Sequence, residues 1–351
     1  MILLALSVGA QTHAQNQQGK GRFMLRPNQE FASQEWPYKP GERLVKIRVE
    51  SPTAGINTNT GLMLALHNWG GYYAQPIYLA WCRAFANRYN VIAISVNYLQ
   101  SAGDKPELPY DHGYLQAIDC LRALYHVQQQ LAESQTEFNP RRCYSMGGSG
   151  GGNVTLMVNK FAPHTFACIV DICGMPGLTD EIAYGITRYG HNLNAGYSRD
   201  PAHPAYLSPD MQAIRDPGNP DHLKIQFTAN PSNKVVIVHG QDDKSCNVVD
   251  KITIFRNMVA AGFRPDGHFL TPWFVDGEAV TGTGHSIGNQ TKIVERFADA
   301  YLLETGKLAH AVSGPTDFER KDKVVYPTGG GVFEIDFSAG PPTVKFRASD
   351  K

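Results

Sequence analysis

Short runs of apolar, β-branched residues alternate along the chain with longer stretches in which apolar positions recur every three or four residues. Leu44–Val49 alternates apolar and polar residues as a half-exposed strand does, whereas Leu62–Leu66 and Val91–Val96 are unbroken apolar runs, as in strands buried on both faces. Between the last two, Pro76 to about Asn87 reads as a helix carrying Trp81 and Phe85. Leu115, Ile118, Leu121 and Tyr125 mark a helix within 114–131, and Cys143–Met146 is a short strand that runs into glycines. Val154, Met157, Val158 and Phe161 fall at i, i+3, i+4 and i+7, which is one helix face. Phe166–Val170 and Val235–Val238 read as further strands, with a helix expected over 249–261. Phe269–Val275 reads as the last core strand, and Ile293, Phe297 and Tyr301 mark a closing helix.

Strands separated by helices of this length imply βαβ units, hence an α/β fold with a mostly parallel central sheet flanked by helices. Two stretches break the rhythm. Residues 174–233 lie between consecutive strands and hold Tyr184, Tyr189, His191, Tyr197, His203, Tyr206 and several prolines. A structureless connection of that length is rare, so an inserted cap or lid is expected. Past Leu308, the runs Val332–Phe337 and Val344–Phe346 beside Gly329-Gly330-Gly331 suggest a small β appendage over 309–351. Residues 44–308 are then the main α/β unit, preceded by an extension over 15–43.

The apolar run Ile2–Ala10, followed by the small residues Thr12 and Ala14, reads as an export signal over 1–14 and implies a secreted or periplasmic protein, although no Lys or Arg precedes the run. It is shorter than the roughly 20 apolar residues that span a bilayer, and no other segment approaches that length. Hydrophobic residues make up 42% of the 351 and charged residues 18%, a globular composition. Lys+Arg and Asp+Glu both number 32, so the basic excess of a nucleic-acid binder is missing. The six cysteines show no CxxC or Cys/His spacing, so no structural zinc site is expected, and the serine chemistry described below calls for no metal and no organic cofactor. Cys143 and Cys168, inside apolar strands, read as small buried residues. For Cys173 and Cys246 two arrangements stay open, a disulfide or a pair of free thiols near the site.

The candidate chemistry lies at the ends of the expected strands. Gly147-Gly148-Ser149-Gly150-Gly151 is a G-x-S-x-G string between a strand and a helix. A nucleophile at so sharp a turn needs strained backbone angles and small neighbours, and the N–H of Gly150 is left free to face a developing oxyanion. A P-loop would need Gly-Lys-Ser/Thr, and a dinucleotide loop would sit near the first strand. His67-Asn68-Trp69-Gly70-Gly71 leaves a buried strand where a second oxyanion donor usually arises; Trp69 is the best candidate and Asn68 the next, against a plain glycine turn with His67 packed below it. In His239-Gly240-Gln241-Asp242-Asp243 an acid stands at a strand end; Asp243, four residues after His239, is preferred over Asp242, and His239 is expected to pack. His285, in Thr281-Gly282-Thr283-Gly284-His285, sits on a loop of small residues that lets a general base reach across the sheet.

The order Ser149…Asp243…His285, each at a strand end, resembles the α/β-hydrolase superfamily over about Leu44 to Leu303. Gly147–Gly151 is similar to the elbow of prolyl-oligopeptidase-like and dienelactone-hydrolase-like members, and His239–Asp243 and Gly284-His285 are similar to their acid and base motifs. Asn68 stands where many members have Gly, and Cys246 occupies the place of an apolar residue that here comes later as Val248. The resemblance implies Ser149 as nucleophile, His285 as base, Asp243 as orienting acid, and esterase or peptidase activity. The expectation is an exported serine hydrolase that cleaves small-molecule carboxylic esters through an acyl-enzyme, with Trp69 and Gly150 as oxyanion donors. A serine peptidase acting on short peptides and a non-catalytic binding protein on the same scaffold are the rivals. Acyl group, alcohol group and oligomeric state are not read from the sequence.

Overall fold

The computed structural model describes residues 23–103, 107–187 and 193–349. The expected export signal over 1–14, and Tyr189 and His191 of the expected cap, lie outside the described residues. The chain enters with β1 (Asn28–Ser33) and β2 (Arg43–Glu50), then β3 (Gly61–Leu66), α1 (Pro76–Tyr89), β4 (Val91–Val96), α2 (Tyr114–Glu133), β5 (Cys143–Gly148), α3 (Gly150–Phe161) and β6 (Cys168–Ile172). Three helices, α4 (Asp180–Tyr184), α5 (Pro209–Ile214) and α6 (Pro220–Ala229), lead to β7 (Lys234–Gly240), α7 (Val248–Ala261), β8 (Asp266–Leu270) and α8 (Gln290–Leu302). The short α9 (Asp317–Arg320) precedes β9 (Lys323–Thr328), β10 (Gly331–Asp336) and β11 (Thr343–Ala348).

The first eight strands form one sheet in the order β1-β2-β4-β3-β5-β6-β7-β8. β3 to β8 run parallel, while β2 is antiparallel to both β4 and β1. The stretch expected as an N-terminal extension thus supplies the edge strand β1, in register from Asn28↔Arg48 to Ser33↔Arg43. Side chains alternate across the sheet, so Leu62, Leu64 and Leu66 of β3 join the core beneath α2 and α3, and Met63 and Ala65 join the core beneath α1 and α8. Both faces are covered, which is why the central strands read as unbroken apolar runs. Each fully buried leucine of β3 contributes about 1.5–3 kcal/mol. This is the α/β-hydrolase fold.

The last core strand differs from the expectation over 269–275. It spans Asp266–Leu270, and Pro272–Phe274 forms a single 3-10 turn. Pro272 has no N–H to give a neighbouring strand, so pairing stops before it. Within 174–233, helix α6 packs against α3 and α7 and serves as the crossover that a parallel β6–β7 pair requires. Ser208 caps α5 by accepting from Met211 N, and Asn219 caps α6 by accepting from Asp221 N and His222 N. The part before α5 closes a third apolar cluster, in which Met175, Leu178, Ile182 and Tyr197 gather with Tyr110 and Cys246 against the partly buried Trp69.

The C-terminal strands form a separate antiparallel sheet, β11-β10-β9, with Thr328 paired to Gly331 across a two-residue turn. Tyr326, Phe333, Ile335 and Val344 join the core on the α2 and α3 side, so this sheet packs on the helical layer. Among the described residues no helix is long and apolar enough to cross a membrane.

Candidate active site

β4 lies on one side of β3 and β5 on the other, so the loops leaving the C-terminal ends of β3 and β5 diverge at a topological switch point and open a crevice between them. The loop after β3 carries Trp69, and the turn after β5 carries Ser149. Ser149 has φ 54° and ψ −119°, a strained conformation for a side chain of its kind. Its surroundings hold it there: its N–H donates to Ile172 O at 3.0 Å, and its carbonyl accepts from Gly152 N at 3.0 Å and Met175 N at 2.9 Å. The turn also brings backbone unusually close to backbone. A Cβ on Gly151 would lie 2.4 Å from Leu66 O, and one on Gly147 would lie 2.4 Å from the Gly151 carbonyl, so both positions require glycine.

The fold brings Ser149, His285 and Asp243 into one hydrogen-bonded line. His285 Nε2 is 2.9 Å from Ser149 Oγ, and His285 Nδ1 is 2.8 Å from Asp243 Oδ2. The other carboxylate oxygen of Asp243 accepts from Ser245 N at 2.9 Å and Cys246 N at 2.8 Å. Burial pushes the Asp243 carboxyl up, but the hydrogen bonds from His285 and the Cys246 amide outweigh it and hold the group below its ordinary value. Asp243 is therefore an anion with one oxygen fixed by backbone and one facing imidazole. Ser149 and His285 are both partly exposed, so the line ends at solvent.

Asp242 points elsewhere. Its N–H donates to Thr283 O at 2.8 Å, and Thr283 Oγ1 donates to its carboxylate at 2.6 Å, which ties the acid loop to the loop that carries His285. His239 is fully buried beneath Asp243, with Nε2 2.8 Å from Cys246 O, and burial brings its pKa down to about 4. It packs as a neutral ring and does not enter the line.

Gly150 opens α3, where helix N–H groups have no partner within the helix. A Cβ on Gly150 would lie 2.7 Å from Trp69 N, so the two backbone amides stand side by side next to Ser149. Neither has a hydrogen-bond partner among the described residues. The Trp69 indole stacks on Tyr110 with ring centres 3.8 Å apart and planes 11° from parallel. The N–H of Asn68, the second candidate, already donates to the Tyr78 hydroxyl at 3.3 Å, and that hydroxyl donates to the Asn68 side-chain oxygen.

Cys173 and Cys246 are free, buried thiols, as are the other four cysteines. Burial pushes both thiols well up, so neither is a nucleophile at neutral pH. Donor atoms of Cys173, His239 and Asp243 lie within 4.8 Å of one another, as do those of Asp243, Cys246 and His285. Both groups share Asp243, whose oxygens are already committed to His285 and two amides.

Sequence reasoning passed over Tyr98, Ser101, Tyr78 and Tyr110, which brace the loop after β3. They belong to no local motif; the sheet order brings Tyr98 and Ser101 against His67, and Tyr110 stacks on Trp69.

A family model described as "Protein of unknown function (DUF2920)" matches residues 109–341, a stretch that holds Ser149, Asp243 and His285 but not Trp69. No curated protein matches the chain. Among solved structures, the chain is similar to an acylaminoacyl peptidase of Pyrococcus horikoshii, at 12% identity and TM-score 0.51, over 77% of this chain and 40% of that one. It is also similar to an arylesterase, at 14% identity and TM-score 0.48 over 78% and 82% of the two chains. An esterase of Thermogutta terrifontis matches at 14% identity and TM-score 0.48 over 76% and 91%. The chain thus spans less than half the length of the peptidase it resembles, and at these identities the likeness is one of fold.

Proposed function

The chain belongs to the family described as protein of unknown function (DUF2920), and we propose that it is a serine hydrolase that cleaves carboxylic esters through an acyl-enzyme. The observation that carries this reading is the continuous line Ser149 Oγ–His285–Asp243, with two unpartnered amides beside the serine. A structural role explains neither the strained φ of Ser149 nor a partly exposed imidazole between a hydroxyl and a buried carboxylate.

The chemistry follows from the geometry. His285 Nε2 takes the Ser149 proton as Oγ attacks the acyl carbon, and the imidazolium is stabilised by the ionised Asp243, which also keeps the proton on Nδ1. The carbonyl oxygen becomes an oxyanion facing the N–H groups of Gly150 and Trp69; a fixed donor of this kind is worth about 10²–10³ in rate. His285 then protonates the departing alkoxide. Water enters from the solvent side of His285, gives up a proton to Nε2 and attacks the acyl carbon, which frees the acid and restores Ser149.

The ester reading asks less of this array than amide cleavage does, because an alkoxide leaves with less protonation than an amine. Turnover of p-nitrophenyl acetate against that of peptide p-nitroanilides, each compared with the Ser149→Ala variant, tests it. Ester turnover lost in the variant supports the proposal. Turnover of the anilides at a comparable or higher rate would make the protein a peptidase, and turnover of neither would make it a binding protein on a hydrolase scaffold.

A further inference from the structure

Asp243 is the meeting point of more than the line to Ser149. Cys246 Sγ, an Asp243 carboxylate oxygen and a ring nitrogen of His285 all lie within 4.8 Å of one another. The nitrogen is Nδ1, which stands 2.8 Å from Asp243 Oδ2, while Nε2 faces Ser149 Oγ on the other side of the ring. A thiol, a carboxylate and an imidazole are one donor of each kind that binds zinc. His285 lies 42 residues beyond Asp243, so no local ligand spacing marks the group.

The donors are available. Asp243 Oδ1 stays with the amides of Ser245 and Cys246, and only Oδ2 is needed. The nearest partner of Oδ2 is His285 itself, with His239 Nε2 farther off at 3.4 Å. Cys246 is a free thiol whose sulfur has no hydrogen-bond partner among the described residues. A tetrahedral zinc ion with bonds of about 2.0–2.3 Å holds such donors roughly 3.3–3.6 Å apart. Nδ1 and Oδ2 then open by about half an ångström, and Sγ closes by roughly an ångström at most. The His285 side chain is 30% exposed while Cys246 and Asp243 are buried, so the ion enters along the imidazole and its fourth position is left to water on that side.

We propose that Cys246, Asp243 and His285 form an inhibitory site for a thiophilic divalent cation such as zinc, which takes the place of the proton between His285 and Asp243 and switches the nucleophile off. The Cys246 thiol gives its proton to solvent and binds the ion as thiolate. The imidazole proton leaves Nδ1, whose lone pair holds the ion, and Nε2 takes one up in its place. Nε2–H donates to Ser149 Oγ but no longer accepts its proton, so the serine loses its base. One proton is released per ion bound, and the two positive charges of the ion balance the carboxylate and the thiolate. Magnesium and calcium, which take oxygen donors, do not suit the set. Binding follows from the donors alone; the inhibition rests on the serine-hydrolase reading above.

Cadmium, which takes the same donors and shows a thiolate charge-transfer band in the ultraviolet, is the probe. In the wild-type chain the band is expected to saturate at one ion per chain, and turnover of p-nitrophenyl acetate to be lost in step with it and to return with EDTA. Magnesium is expected to do neither. Cys246→Ala is expected to abolish the band, and Cys246→Val serves if that variant does not fold. His285→Ala keeps the thiolate and is expected to bind cadmium at least about 10-fold more weakly. Cys82→Ala, which removes a thiol of neither donor group, is expected to behave as wild type. Inhibition of each variant is read against its own metal-free rate. No band in the wild type, a band that survives the loss of the Cys246 thiol, unchanged affinity in His285→Ala, or full turnover at saturation would each overturn the proposal. The band needs no turnover, and Ser149→Ala is expected to keep it. A band in a chain that neither turns over ester nor takes a fluorophosphonate label leaves the metal site standing and fails the serine-hydrolase reading instead.

Discussion

Replacing Gly150 by alanine adds one methyl group at the point where the two proposed oxyanion donors meet. The new Cβ would lie 2.7 Å from Trp69 N and 3.2 Å from Trp69 Cα and Cβ. Ordinary contact begins near 3.4 Å, so the Trp69 amide must retreat by about 0.7 Å. That is enough to take one donor out of hydrogen-bond reach of an oxyanion on Ser149's substrate, which costs about 10²–10³ in kcat, or about 2.7–4 kcal/mol of transition-state stabilisation. Stability should fall modestly: Gly150 is not among the residues with positive φ and alanine gains up to about 1 kcal/mol in a helix, but the atoms that must move belong to the Trp69 backbone. Gly151→Ala is the contrast: its Cβ would lie 2.4 Å from Leu66 O, in the backbone of a fully buried strand, and overpacking there costs about 1–3 kcal/mol or more. Steady-state kinetics on p-nitrophenyl acetate and thermal unfolding of both variants separate the two effects. Gly150→Ala with more than a third of wild-type kcat and an unchanged Tm would refute the assignment of the Trp69 and Gly150 amides.

Three further expectations follow from the same geometry. Asp243→Asn should lower kcat by roughly 10³-fold or more, because the imidazole loses its anion and its tautomer, whereas Asp242→Asn, which keeps an acceptor for Thr283, should stay within about 10-fold; the reverse ranking in kinetics would move the acid to Asp242. Burial holds His67, His112 and His239 near pKa 4, below the ordinary 6.5, so each is neutral when folded and gains a proton on unfolding. Stability should then fall as pH drops from about 6.5 toward 4 and level off below, each group contributing at most about 3 kcal/mol; urea midpoints that stay flat or rise between pH 6.5 and 4.5 would contradict this. All six thiols should react with Ellman's reagent in denaturant without reductant and resist it in the native protein, since every one is buried. Two missing thiols, at Cys173 and Cys246, would reveal a bridge.

Periodicity alone marked the alternation of strands and helices, because a parallel sheet covered on both faces leaves unbroken apolar runs such as Leu62–Leu66. It misplaced the last strand, since Phe269–Val275 is apolar enough for a strand yet Pro272 cannot join a ladder. It also passed over β1: Asn28–Ser33 has only two apolar residues, and its pairing with β2 is set by the partner. Ser149 stood out among glycines at the end of β5, Asp243 just past the end of β7, and His285 on a loop of small residues between β8 and α8. The choice between Asp242 and Asp243 became visible only in three dimensions, where adjacent carboxylates face Thr283 and His285. The bracing of the loop after β3 had no signature at all. Ser101 and Tyr98 reach His67 across more than 30 residues of sequence, a contact produced by the sheet order β4-β3-β5.

The central claim is that Ser149 is an activated nucleophile. Incubating the protein with a fluorophosphonate and measuring intact mass, followed by peptide mapping, tests it most directly. The account predicts one adduct per chain, on Ser149, with loss of ester turnover in step with labelling and no adduct on the Ser149→Ala variant. A folded protein that takes no adduct on Ser149, or that keeps its turnover once Ser149 is labelled or replaced, would contradict it.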